Sequence, residues 1–131
     1  RKSFYYHFID KYDLVNWIYY TEVMEIAARQ RLDDPWELLR AVCVYLHENR
    51  RFYANALSMT GQNAFPEYFA AMLKPLISLQ IPGAPEEELH GFAEDFFSDA
   101  LVLSVRRWLV QTPEMPPESY VTLLRRTITG R

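Results

Sequence analysis

The chain has 131 residues, half of them hydrophobic and 24% charged, with a formal net charge of -3. These values fit one soluble globular domain with a core of its own and exclude a disordered tail. No apolar run approaches the ~20 residues of a membrane helix, and one cysteine, Cys43, excludes an internal disulfide framework and a multi-thiolate zinc site.

Charge is unevenly spread. Residues 1–11 carry a net +2 and the other 120 a net -5, so a small basic head precedes an acidic body. Bulk electrostatics therefore argue against nucleic-acid binding by the body. The start at Arg1 predicts a piece of a longer protein, and the lone cysteine fits a cytoplasmic setting. No membrane partner is expected.

Glycine is scarce and no strand-like alternation bounded by tight turns appears, so the chain reads as all-α. Residues 1–7 resemble the tail of a helix. Asp10 then caps a long helix over roughly 11–32. That helix carries one apolar stripe of Leu14, Trp17, Ile18, Thr21, Met24, Ala28 and Leu32, and a second of Val15, Tyr19, Val23 and Ile26. Two stripes predict cover on more than one side.

Asp34-Pro35-Trp36-Glu37 is a helix start: a capping carboxylate, proline at the first position, and an acid in the first turn. The helix should run to about His47 and bury Leu39, Val42, Cys43 and Leu46. Further helices are predicted over about 51–59 and 65–80. Pro75 should kink or shorten the second of these. Residues 81–85, Ile-Pro-Gly-Ala-Pro, form a loop.

The helix over about 86–111 is apolar nearly all round from Ala100 onward. Phe92, Phe96, Leu103 and Val110 fall on one side. Phe97, Leu101, Val105 and Trp108 fall on another, with Arg106, Asp95 and Asp99 on a narrow polar strip. A small domain covers one side of such a helix, and a second copy of the chain is the natural cover for the other. The last helix, about 117–129, opens on Pro116-Pro117 and ends at Gly130. The expected dimer contact is Phe97, Leu101, Val105 and Trp108 with Tyr120 and Leu124 of the last helix, in a four-helix bundle.

Residues 3–14, Ser-Phe-Tyr-Tyr-His-Phe-Ile-Asp-Lys-Tyr-Asp-Leu, resemble the signature of TetR-family transcriptional regulators. In that family it marks the end of the recognition helix, a turn, and the start of the next helix. Ile9 departs from the pattern, which usually has a polar or basic residue there. Asn49–Phe69 and the last helix are also similar to the branch of regulators of dihydroxyacetone-kinase operons. The resemblance implies that residues 1–13 end a helix-turn-helix DNA-binding domain and that residues 14–131 form a C-terminal effector-binding and dimerisation domain. It implies a homodimer on a pseudo-palindromic operator, an unknown small-molecule effector and no enzymatic activity.

On this reading Ser3, Tyr5, Tyr6, His7 and Lys11 contact DNA. Tyr5 and His7 donate to phosphates, and Lys11 sits where the backbone N–H groups of a helix start also favour an anion. The resemblance further implies an effector pocket among the middle helices. Its candidates are Trp17, Tyr20, Thr21, Met24, Tyr45, Phe52, Tyr53, Leu57, Phe69 and Met72. Taken one at a time, each fits ordinary core packing as well. Two other classes stay open: a helical module that binds a non-DNA partner, and a small helical enzyme, for which no converging catalytic groups are seen. Glu87 and His90 have the Glu-x-x-His spacing of di-iron bundles, but no second copy exists, so they read as a solvated helix start. No cofactor and no metal are expected.

Overall fold

The computed structural model describes residues 11–30, 34–78 and 87–130. Among them lie six α-helices and no strand: α1 (Lys11–Gln30), α2 (Pro35–Glu48), α3 (Arg50–Leu57), α4 (Phe65–Ser78), α5 (Glu87–Gln111) and α6 (Pro117–Thr129). The all-α expectation therefore holds. The expected cap at Asp10 and the loop at 81–85 lie outside the described residues.

α2 starts as its sequence dictates. The Trp36 backbone N–H donates to Asp34 Oδ1 at 3.1 Å, and Pro35 occupies a position where no N–H is needed. Leu39, Val42, Cys43 and Leu46 are all buried, as the 3.6-residue spacing requires. α6 ends where Gly130 takes a left-handed φ of 74° and donates its N–H to the Arg126 carbonyl at 2.8 Å. α4 continues through Pro75, so the helix does not break at the proline itself.

The core is assembled across helices. α4 lies along α5, α6 lies along α2, and α1 packs on α2 and α4. Of the two apolar stripes on α1, the core takes Val15, Tyr19 and Val23. Trp17, Tyr20 and Met24 are left exposed. Tyr19 sits at the centre of a ring cluster, edge-on to Tyr53, Phe65, Tyr68 and Phe69 at centroid distances of 6.0, 5.1, 6.3 and 5.5 Å. Such pairs add about 0.5–1.5 kcal/mol each beyond their buried area. They fix α1 against α3 and α4.

At the other end of the molecule Trp108 stacks on Tyr120 at 4.3 Å with planes 9° apart. The His47 ring also stacks on Trp108, 5.3 Å between centroids with planes 10° apart. His47 Nε2 also lies 2.6 Å from the Pro113 carbonyl, and the indole N–H donates to the Met115 carbonyl at 3.0 Å. The α5–α6 connection is thus held at both of its ends.

Candidate functional site

Ser3, Tyr5, Tyr6 and His7 of the signature lie outside the described residues. Lys11, its remaining candidate, is the first residue of α1 and is exposed, with Nζ 5.6 Å from the centre of the Tyr12 ring. Just behind it, α1 is tied to the 58–64 connection. The Tyr12 hydroxyl donates to the Thr60 carbonyl at 3.3 Å and Asn16 Nδ2 to the Asn63 carbonyl at 3.1 Å. That connection needs two left-handed residues, Gly61 and Asn63, with φ of 107° and 69°. α1 is therefore held near its start by two hydrogen bonds and further along by Tyr19.

The structure spreads the ten candidate pocket residues between surface and core. Trp17, Tyr20, Thr21, Met24 and Phe52 are exposed, while Tyr53, Leu57 and Phe69 are core residues and Met72 is half-buried against the core. Tyr45 and Tyr53 are brought together, their hydroxyl oxygens 2.6 Å apart. Burial pushes both hydroxyls up from the ordinary tyrosine value. For Tyr45 the bond to Tyr53 partly offsets this and the Glu22 charge adds to it; for Tyr53 the bond to Tyr45 raises it further.

Tyr45 also lines a cleft of about 350 Å³ between α1 and α2. Glu22, Ile26, Arg29 and Gln30 come from α1, and Glu37, Arg40, Ala41, Val44, Tyr45 and Glu48 from α2. Apart from Tyr45, none of these was a pocket candidate in the sequence. Charged residues at helical spacing look like a solvated face, and only the pairing of α1 with α2 brings them opposite one another.

The structure places the six candidate dimer residues in or against the chain's own core. Leu101, Val105 and Trp108 are 4%, 0% and 2% exposed, and Tyr120 is buried with them. Phe97 and Leu124 are half-buried against the same core. All six point into their own chain. The stripe turned outward is the other one: Phe92 and Leu103, 68% and 64% exposed, with Phe96 and Val110, and Leu123 of α6. Both stripes of α5 are apolar, so periodicity showed that two faces needed cover without showing which one the chain covers itself.

Among the described residues no group of three or more His, Cys, Asp or Glu is arranged to hold a metal ion. Glu87 is an exposed residue in the first turn of α5. His90 Nε2 lies 2.9 Å from Ser78 Oγ and 3.6 Å from Glu94 Oε2. No helix of the described residues is long and apolar enough to cross a membrane.

No curated protein and no solved structure is detectably similar to the chain. A family model does match, the C-terminal region of TetR-type transcriptional regulators, over residues 33–130. That span begins beside the Asp34 cap, ends at the Gly130 cap, and takes in α2 to α6. By that match the chain belongs to the TetR-type family of transcriptional regulator C-terminal regions.

Proposed function

We propose that the chain is the effector-binding and dimerisation part of a TetR-type regulator, and that residues 1–13 end its DNA-binding head. The observation that carries this reading is positional. A regulator C-terminal region at 33–130 lies directly behind a segment with the helix-turn-helix signature, and α1 joins the two. Tyr5, Tyr6, His7 and Ser3 would contact the operator backbone together with Lys11, while base edges would be read by the helix that the signature ends. The branch of dihydroxyacetone-kinase-operon regulators remains a finer proposal of ours, supported by Asn49–Phe69.

The homodimer would form on the outward stripe of α5 with Leu123 of α6, giving a four-helix bundle. Phe92, Phe96, Asp99, Leu103, Arg106 and Val110 follow one another at alternating steps of four and three residues, the spacing of a helix-pairing seam. An antiparallel two-fold midway between Val102 and Leu103 would set Asp99 against the partner's Arg106. Opposite charges flanking an apolar centre would fix the register.

Signalling would be a population shift between two arrangements of the heads, driven by an effector with different affinity for each. α1 is the lever: 20 residues long, about 30 Å at 1.5 Å per residue, so a small tilt at Tyr19 moves its start by more. The reading is tested by binding duplex DNA to a chain carrying a complete helix-turn-helix ahead of Ser3. Affinity should fall steeply with salt, and Lys11→Ala should flatten the slope by about one counterion while weakening all sequences alike. A slope unchanged by Lys11→Ala contradicts the phosphate contact.

A further inference from the structure

The cleft between α1 and α2 has a charge pattern of its own. α1 and α2 are consecutive and lie antiparallel, so Glu22 of α1 comes level with Tyr45 of α2, and Arg29 and Gln30 with the start of α2. Ile26, Ala41 and Val44 make an apolar floor between the two ends. At one end stand Glu22 and Glu48 on either side of Tyr45, whose hydroxyl is fixed by Tyr53. At the other stands Arg40, with Glu37 one turn before it and Arg29, which is already paired with Glu25.

No ion pair joins Glu22, Glu48 or Arg40 to another described residue. Uncompensated charges of opposite sign thus face one another along a half-apolar trough. Arg40 and Glu48 are eight residues apart on one helix, about 12 Å at 1.5 Å per residue.

We propose that this cleft binds a small dipolar molecule. Its cationic group lies between Glu22 and Glu48 over the Tyr45 ring, its apolar body lies on Ile26, Ala41 and Val44, and its anionic group meets Arg40. The ring adds a cation–π contact to the two carboxylates, and the guanidinium offers a planar fork to a carboxylate or phosphate. A ligand seated there touches both α1 and α2, so it sets the angle between them. The binding claim stands alone; its regulatory meaning rests on the proposed function, because α1 is the helix that would carry the DNA-binding head.

The test uses 8-aminooctanoate, whose extended chain spans the trough, against octanoate and octylamine, each with one charge removed. Binding to the 131-residue chain is followed by amide chemical shifts, with no DNA present, so its outcome is independent of whether the chain regulates a promoter. Saturable shifts confined to residues 22–30 and 37–48 are expected. Affinity for the amino acid should exceed that for either single-charge analogue by about tenfold, as one ion pair of about 1.4 kcal/mol gives. Glu22→Gln with Glu48→Gln should erase the preference over octanoate, and Arg40→Gln the preference over octylamine. These side chains are exposed, so the variants should keep the wild-type circular dichroism and melting curve. Equal affinity for all three probes, no saturation, or shifts centred elsewhere overturns the proposal.

Discussion

The Trp108 ring lies flat on the Tyr120 ring, 4.3 Å between centroids, while its N–H donates to the carbonyl of Met115, the residue just before the Pro116 cap of α6. One indole therefore closes the angle between α5 and α6 and anchors the chain that joins them. The Tyr120 hydroxyl returns to α5, 2.7 Å from Ser104 Oγ. This contact is internal, so Trp108 stabilises the fold of the chain itself.

Trp108→Ala is therefore predicted to cost about 3–5 kcal/mol of folding stability, the range for removing a buried aromatic. Chemical denaturation monitored by circular dichroism measures it. A wild-type midpoint for Trp108→Ala would mean that the indole is not a core group.

Leu103→Glu is predicted to do the opposite. It places a charge on an exposed position of α5 and should change monomer stability by within about 0.5 kcal/mol. In the dimer it would bury unpaired charge across the two-fold. Sedimentation velocity should show a dimer for the wild type and a monomer for Leu103→Glu, with the helical signal retained. A dimer that survives Leu103→Glu removes the outward stripe from the interface.

Register can be tested by exchange of charge. Asp99→Arg should weaken the dimer by setting like charges against each other, and Asp99→Arg with Arg106→Asp should restore it. Failure of the double variant to recover would reject the antiparallel alignment centred between Val102 and Leu103.

These outcomes separate what the sequence made legible from what it did not. The core face of α2 was readable because Asp34-Pro35 sets its start and Leu39, Val42, Cys43 and Leu46 then recur at helical spacing. On α5 two apolar stripes share one helix, and the choice between them is made by contacts with α4 and by the Trp108 stack, which are remote in sequence. On α1 the same ambiguity hid the fact that Val15, Tyr19 and Val23 face the core while Trp17 and Met24 do not. The α1–α2 cleft was invisible for another reason: its charges come from two helices, and each helix alone looks merely solvated.

Burial also sets a pH dependence. The Tyr19, Tyr53 and Tyr120 hydroxyls are all pushed up by desolvation, and the Cys43 thiol is pushed up to about 12. Unfolded, tyrosine ionises near ~10 and cysteine near ~8.5. Above those values the unfolded chain holds fewer protons than the native one, so stability falls as pH rises. The denaturation midpoint should be unaffected by these groups through neutral pH and drop from about pH 9 upward. A level profile through about pH 11 would contradict the burial of these groups.

The same burial predicts that native Cys43 resists alkylation. The thiolate is the reactive form, and Cys43 is both fully buried and held protonated. Iodoacetamide at mild alkaline pH should label it only at the rate of unfolding. Rapid labelling of the folded chain, followed by mass spectrometry, would contradict the structure around α2.

The most direct test of a TetR-type regulator is selection from random duplex DNA by a chain with a complete helix-turn-helix, run beside the same chain carrying Leu103→Glu. The account predicts that the wild type enriches a two-fold symmetric site, that enrichment weakens steeply with salt, and that Leu103→Glu abolishes the symmetric product. A folded dimer that enriches nothing at low salt would contradict it and point to a module that binds a partner other than DNA.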